Sequence, residues 1–174
     1  IVENCVVSGY AVRYRGDADR QYAVGGFAGF NFGIIRNCSV VATTVSAQGG
    51  QKNRYLGGFV GSLNGVGSLT KCYAGGTLSF SGTGSVGGVV GGFENIPGQT
   101  VGERTVTDCY SYCTLDGQTL QDHQDSTPVY GVSSPGTYNA AKITVTNSHY
   151  LQDTVTVSVA DSELAMNWNQ LSNW

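Results

Sequence analysis

Three groups of residues in this chain have the types and spacing to do chemistry. Cys5, Cys38, Cys72 and Cys109, followed by Ser148, recur at intervals of 33 to 39 residues. Thiols at regular spacing are the raw material of disulfides, metal sites and nucleophiles. His123 stands between Asp122 and Asp125, a grouping able to move a proton or hold a cation. Arg15-Gly16-Asp17 is the tripeptide that integrin ligands display; there the aspartate would reach a bound metal and the arginine an acidic pocket across the glycine turn.

Each group weakens when its surroundings are read. No Cys-x-x-Cys or paired histidines support zinc. The Asp122–Asp125 stretch lacks the ligand spacing of an EF-hand, and His149 lies in another segment. Glycoside hydrolysis needs two carboxylates across one cleft, whereas Asp116, Asp122 and Asp125 cluster in one insert. A three-residue integrin motif arises often by chance. No catalytic residues, no metal site and no cofactor are expected; the chain reads as a non-enzyme.

The elements that must position these residues are repeats. The phrase Leu56–Cys72, LGGFVGSLNGVGSLTKC, occurs upstream as Val24–Cys38 and returns in decayed form as Val86–Cys109 and Val129–Ser148. Val2-Glu3-Asn4-Cys5, Ile35-Arg36-Asn37-Cys38, Leu69-Thr70-Lys71-Cys72, Val106-Thr107-Asp108-Cys109 and Val145-Thr146-Asn147-Ser148 align without gaps. A long, glycine-rich period of this kind signals a solenoid, propeller or array. A propeller blade needs four strands per repeat, and about three short apolar runs per unit favour one coil of a β-solenoid.

Stacked coils put the repeated cysteines in one inward ladder. Neighbouring strands lie about 4.8 Å apart with parallel Cβ vectors, which suits a disulfide poorly, so the thiols are expected free and buried. Alternation predicts inward rows of Cys5, Val7, Gly9 and Ala11; Cys38, Val40 and Ala42; Cys72, Ala74, Gly76 and Leu78; and Cys109, Ser111, Cys113 and Leu115. The Gly-Gly strands predict two further columns, Val24/Leu56/Val86/Val129 and Phe27/Phe59/Val89/Val132. The glycines read as coil corners, because no Lys-Ser/Thr and no helix follow them as in a phosphate loop.

The quoted phrases resemble the GLUG repeat, a glycine-rich motif of large bacterial surface proteins, including adhesin-like proteins and the non-catalytic parts of some immunoglobulin A peptidases. The resemblance spans most of residues 1–159, is plainest in the second and third units, and fades from Pro128, where Tyr130-Gly131 replaces Gly-Gly. It implies a parallel, right-handed β-helix of about four to five coils and a secreted or cell-surface location. It carries no catalytic residues to transfer.

The expected architecture is a single all-β domain, with a solenoid over 1–159 and a short capping helix over 160–174. Asp161 or Ser162 would start that helix, and Leu164, Trp168 and Leu171 would line one face. Ile1 falls inside a repeat, so the chain reads as a piece of a longer protein, with neighbouring domains as partners. A net charge of −3 argues against nucleic acid, and no apolar run is long enough to span a bilayer.

Variable inserts come after each Cys strand and should emerge on one side of a solenoid. The first two units, in these inserts and the nearby strand residues, concentrate Tyr10, Arg13, Tyr14, Arg15, Arg20, Tyr22, Lys52, Arg54 and Tyr55. Tyrosine and arginine are frequent interface anchors, so these nine are the expected contact residues. The partner would be a host extracellular protein, an immunoglobulin or a glycan, with outward Tyr73, Tyr110 and Tyr112 offering faces to sugars. A spacer or stalk role is the competing reading.

Overall fold

The computed structural model describes residues 1–15, 22–48, 54–81, 85–92, 102–116, 118–119, 126–127, 143–151, 156–159 and 166–167. The described chain is all-β, and its strands fall into four sheets, called A to D. Sheet A contains Val2–Glu3, Ile34–Arg36, Ser68–Thr70, Arg104–Thr107 and Ile143–Thr146. Sheet B is built mainly on Val6–Ser8 with Ala11–Tyr14, then Ser39–Gln48, Tyr73–Ser81 and Tyr110–Ser111 with Thr114–Leu115. Sheet C holds Tyr22–Gly25, Arg54–Gly57, Ser85–Gly87 and Ser126–Thr127; sheet D holds Ala28–Asn31, Val60–Leu63 and Val90–Gly92.

Successive repeats supply strands to the same sheets and pair in parallel with one another. Ile35 lies opposite Val2 and Leu69, Leu56 opposite Val24 and Val86, and Val60 opposite Ala28 and Val90. This arrangement is compatible with a β-helix. It also corrects the strand count: four strands make a repeat, because Gly57-Gly58 divides the expected single Gly-Gly strand into a sheet C and a sheet D strand. Parallel pairing between repeats is what separates it from a propeller, whose blades are four-stranded sheets set around a central channel.

The corners have distinct chemistry. Between sheets A and B the turn residue has φ near +50°: Asn4, Asn37, Lys71, Asp108 and Asn147. Asn and Asp tolerate this left-handed region better than other L-residues. Between sheets C and D, Gly57 and Gly58 pack backbone on backbone. A Cβ on Gly57 would strike the Val60 carbonyl, and one on Gly58 the Gly88 carbonyl of the next repeat.

The core lies inside the stack. Ile35, Leu69 and Val106 come from sheet A, Leu56 and Val86 from sheet C, and Phe59 and Val89 from the turn into sheet D. The Phe27 and Phe59 rings stack with centroids 4.8 Å apart, nearly parallel. Cys38, Cys72, Cys109 and Ser148 are buried, Cys5 half-buried, and all five cysteines are free. The Ser148 hydroxyl continues the column by accepting from the Cys109 amide at 3.1 Å.

Several expected positions move. Gly9, Ala11 and Ala42 are exposed rather than inward, because the first two sheet B passages carry one extra residue. Ala74 pairs with Val40 but Gly76 with Thr43, so the longer passage bulges. Gly9 and Ala42 sit in that bulge at φ +71° and +51°. A bulge re-aims every later side chain, which turns Val12 and Tyr14 toward the core and Ala11 and Arg13 outward. In the fourth repeat Ser126, not Val129, pairs with Val86; Val129 and Val132 lie outside the described residues.

The expected C-terminal helix is not found where the chain is described: Met166–Asn167 forms a strand pairing antiparallel with Thr156–Val157. Thr156–Val159 itself pairs antiparallel with His149–Leu151, on the sheet B edge. An open strand edge presents unpaired N–H and C=O groups, and Thr156–Val159 and Met166–Asn167 pair with such edges here; Leu164, Trp168 and Leu171 lie outside the described residues. The remainder of 160–174 lies outside the described residues.

Candidate binding groove

The outward face of sheet B carries the residues that alternate with Val12, Val45, Leu78 and Leu115. Register places Ala11, Thr44, Thr77 and Thr114 in one row and Arg13, Ser46 and Ser79 in the next. Where these strands run toward the inserts, the face opens into a groove of about 350 Å³. The first repeat contributes Arg13 and Arg15, the second Ser46 and Gln48, and the third Ser79 and Ser81, with Thr44 and Tyr14 alongside.

The wall behind it is tied down. Tyr22 is buried and donates from its hydroxyl to the Gln48 carbonyl at 2.9 Å. The Tyr14 ring packs on Tyr22 with centroids 4.0 Å apart and tilted by 38°. Ser46 donates to the Val12 carbonyl at 3.4 Å. The first two coils are thus fastened at the point where the arginines leave the sheet.

Of the nine residues expected at a contact surface, the structure brings three to the groove: Arg13, Tyr14 and Arg15. Tyr10 is half-buried beside the bulge, and burial pushes its phenol pKa up. Tyr22 and Tyr55 are both inside, Tyr55 only 2% exposed, at the corner where the sheet C strands begin. Arg54 opens a sheet C strand opposite Tyr22. Arg20 and Lys52 lie outside the described residues, as do Gly16, Asp17, Asp122, His123 and Asp125.

The outward tyrosines do not form a free platform. Tyr73 and Tyr110 stack on each other with centroids 4.9 Å apart, and Tyr112 leans on both at 6.4 and 6.3 Å. The Tyr112 ring also fills the space over Gly75, where a Cβ would collide with it. Tyr110 is almost wholly covered. Burial raises its phenol pKa and pushes that of Tyr112 up to about 12, with Tyr73 adding to both.

Two features escaped the sequence reading. Phe30, Phe32, Ile34 and Val66 are exposed apolar side chains in or beside the turns from sheet D to sheet A; the run Phe30–Ile34 has the composition of a buried strand and gave no sign of pointing outward. Arg104 is completely buried at the start of its sheet A strand, where burial lowers its pKa. Among the described residues no group of three His, Cys, Asp or Glu side chains could hold a metal ion, and no helix is long and apolar enough to cross a membrane.

The GLUG motif family model matches residues 21–46. Apart from Gln21, that stretch takes the chain once through sheets C, D, A and B, from Tyr22–Gly25 to within Ser39–Gln48. No curated protein and no solved structure matches the chain.

Proposed function

From a chain that carries a GLUG motif in one circuit of its stacked sheets, we infer a right-handed β-solenoid module of a bacterial surface-type protein, non-catalytic, that binds an extracellular macromolecule through the groove on sheet B. One observation carries this reading: two exposed arginines stand over a hydroxyl- and amide-lined groove on a face fixed by strand register. Rigid scaffolds that present polar groups in fixed rows suit recognition, because little has to be ordered on binding. The partner is a host glycoprotein, an immunoglobulin or a glycan, met outside the cell; nucleic acid is disfavoured by the net charge of −3.

The test is binding of the immobilised chain to purified immunoglobulin and to secreted glycoproteins, native and deglycosylated. Arg13→Ala/Arg15→Ala should weaken the interaction by about tenfold or more, roughly the loss of a charged hydrogen bond, with an unchanged melting temperature. A partner that binds the double variant at full strength places the surface elsewhere, with Phe30, Phe32 and Ile34 the first to examine. The spacer reading has its own support in the in-register stacking of repeats, each pairing with its neighbours; failure of every partner in the panel to bind would favour it.

A further inference from the structure

We propose that the sheet B groove takes an oligosaccharide ending in a carboxylated sugar, with the acidic end over the first coil; this rests on the binding-groove reading above. The charge in the groove is one-ended. Arg13 and Arg15 both come from the first coil, both are exposed, and neither has an ion-pair partner among the described residues. The second and third coils add only neutral hydrogen-bonding groups, Ser46, Gln48, Ser79 and Ser81. Just past the third coil, Asp116 comes after Leu115, which is paired with Leu78, and is exposed. The described lining of the groove therefore runs from cationic on the first repeat to neutral on the second and third. A carboxylate over the first repeat would meet two guanidinium groups that no described residue pairs.

Size and chemistry select a glycan over a protein surface. A protein interface buries roughly 800 Å² on each side around an apolar, aromatic centre, while this groove of about 350 Å³ is at the small end for ligand sites and holds none of the exposed large apolar side chains. Neighbouring coils repeat a hydroxyl or amide about every 4.8 Å, so a chain lying along the stack meets a fresh donor and acceptor at each step. Guanidinium groups bind carboxylates with paired, planar hydrogen bonds. Sialic acid and a terminal uronic acid both present that carboxylate on a sugar ring, and the probes separate them.

Sialyllactose, a hyaluronan disaccharide whose one glucuronate is terminal, and lactose are titrated against the chain by calorimetry. At least one acidic probe should bind about tenfold or more tightly than lactose, with affinity falling as salt rises; which acidic probe wins identifies the sugar. Arg13→Ala/Arg15→Ala should abolish the preference with its circular dichroism and melting temperature preserved. Equal affinity for lactose and the acidic probes, no binding of either acidic probe, or a preference that survives in the double variant would overturn the proposal. Ser79→Trp, which fills the groove from the third coil, separates the two levels. If a neutral glycan or a glycoprotein binds and this variant abolishes it, the groove stands as a binding site and the acidic-sugar inference alone falls; if the variant changes nothing, both fall.

Discussion

At the scale of single residues, the corner between sheets A and B shows how the repeat is enforced. Asn4 and Asn37 are linked by a side-chain hydrogen bond at 3.3 Å, and Asn147 donates to Asp108 at 2.6 Å. Lys71 occupies the middle of that column at φ +52°, with a side chain that can only donate. Replacing it with Asn, which tolerates this backbone and can bond both ways, should raise stability by about 0.5–1.5 kcal/mol in denaturant unfolding; no gain would mean the column is not a ladder in solution. Ala42 poses the same question without side-chain bonding. It is exposed at φ +51° where the first coil has Gly9, so Ala42→Gly should be neutral to stabilising by up to about 1 kcal/mol, opposite to the usual sign for that change. The thiols give a pH dependence. Burial pushes Cys113 from its ordinary value near 9 to about 12, and Cys109 well up also, helped by its contact with Cys72. The folded state keeps these protons when the unfolded state has lost them. For Cys113 that stabilisation is therefore whole below about pH 9 and lost as pH rises toward 12, at about 1.4 kcal/mol per pH unit. Alkaline unfolding midpoints should fall over that window, and Cys113→Ala, compared with its own neutral-pH stability, should fall less steeply. The thiol column was legible in the sequence because Cys recurs at one position. The left-handed corner beside it was equally visible as Asn-Asn-Lys-Asp-Asn, but polarity alone does not announce a backbone angle.

At the scale of elements, the Gly-Gly pair matters because strands of sheets C and D meet there with no room for a side chain. A methyl on Gly58 would press on the Gly88 carbonyl, on the Cys113 sulfur and on Ala74, so it cannot be relieved by rotating one side chain. Gly58→Ala should cost about 2–4 kcal/mol, the range of an overpacked core with backbone shift; thermal unfolding of the variant measures it, and a loss under about 1 kcal/mol would show that the corner is looser than its geometry. Glycine recurrence made this element readable. Its division into two strands was not, since a corner without side chains leaves the apolar pattern on either side unbroken. Sheet B shows the opposite difficulty. Cys72 to Leu78 and Cys109 to Leu115 alternate as the pattern says, yet one extra residue in each of the first two coils reverses the parity of every later position in the strand. That reversal sends Arg13 outward and Tyr14 inward. It decides which of the nine expected contact residues reach the groove, and it is invisible unless the repeats are aligned from both ends of the strand. The burial of Tyr22 and Tyr55 was not legible for a related reason: a tyrosine beside an insert looks exposed, but the corner beneath the insert needs large side chains to close it.

At the scale of the whole molecule, stacked repeats predict stability that is distributed unevenly along the stack. Each repeat pairs only with its neighbours, so its stability is an intrinsic part plus one interface on each side. Among the described residues, strands of the second and third repeats, such as Ser39–Gln48 and Tyr73–Ser81, pair on both edges, whereas Val2–Glu3 and Val6–Ser8 pair on one. Burial agrees: Val40, Leu69, Ala74 and Leu78 are inside, while Val2 and Val6 are 43% and 71% exposed. Native-state hydrogen exchange should therefore show the first coil opening at lower free energy than the coils around Leu69. Two variants make the point sharper. Leu69→Ala removes a fully buried side chain in the middle of sheet A and should cost about 2–5 kcal/mol, lowering protection most in its own repeat and the two that pair with it. Val7→Ala acts on a half-buried residue of the first coil and should lower protection there alone, leaving the amides of Tyr73–Ser81 unchanged. Identical loss of protection in all coils for both variants would mean the described stack unfolds as one unit, and the one-dimensional account of its stability would have to be given up. If the groove binds as proposed, that distinction bears on binding, because its arginines stand on the first repeat and its hydroxyls on the second and third. Opening of the first coil alone would remove the charged end of the groove while leaving the neutral end in place.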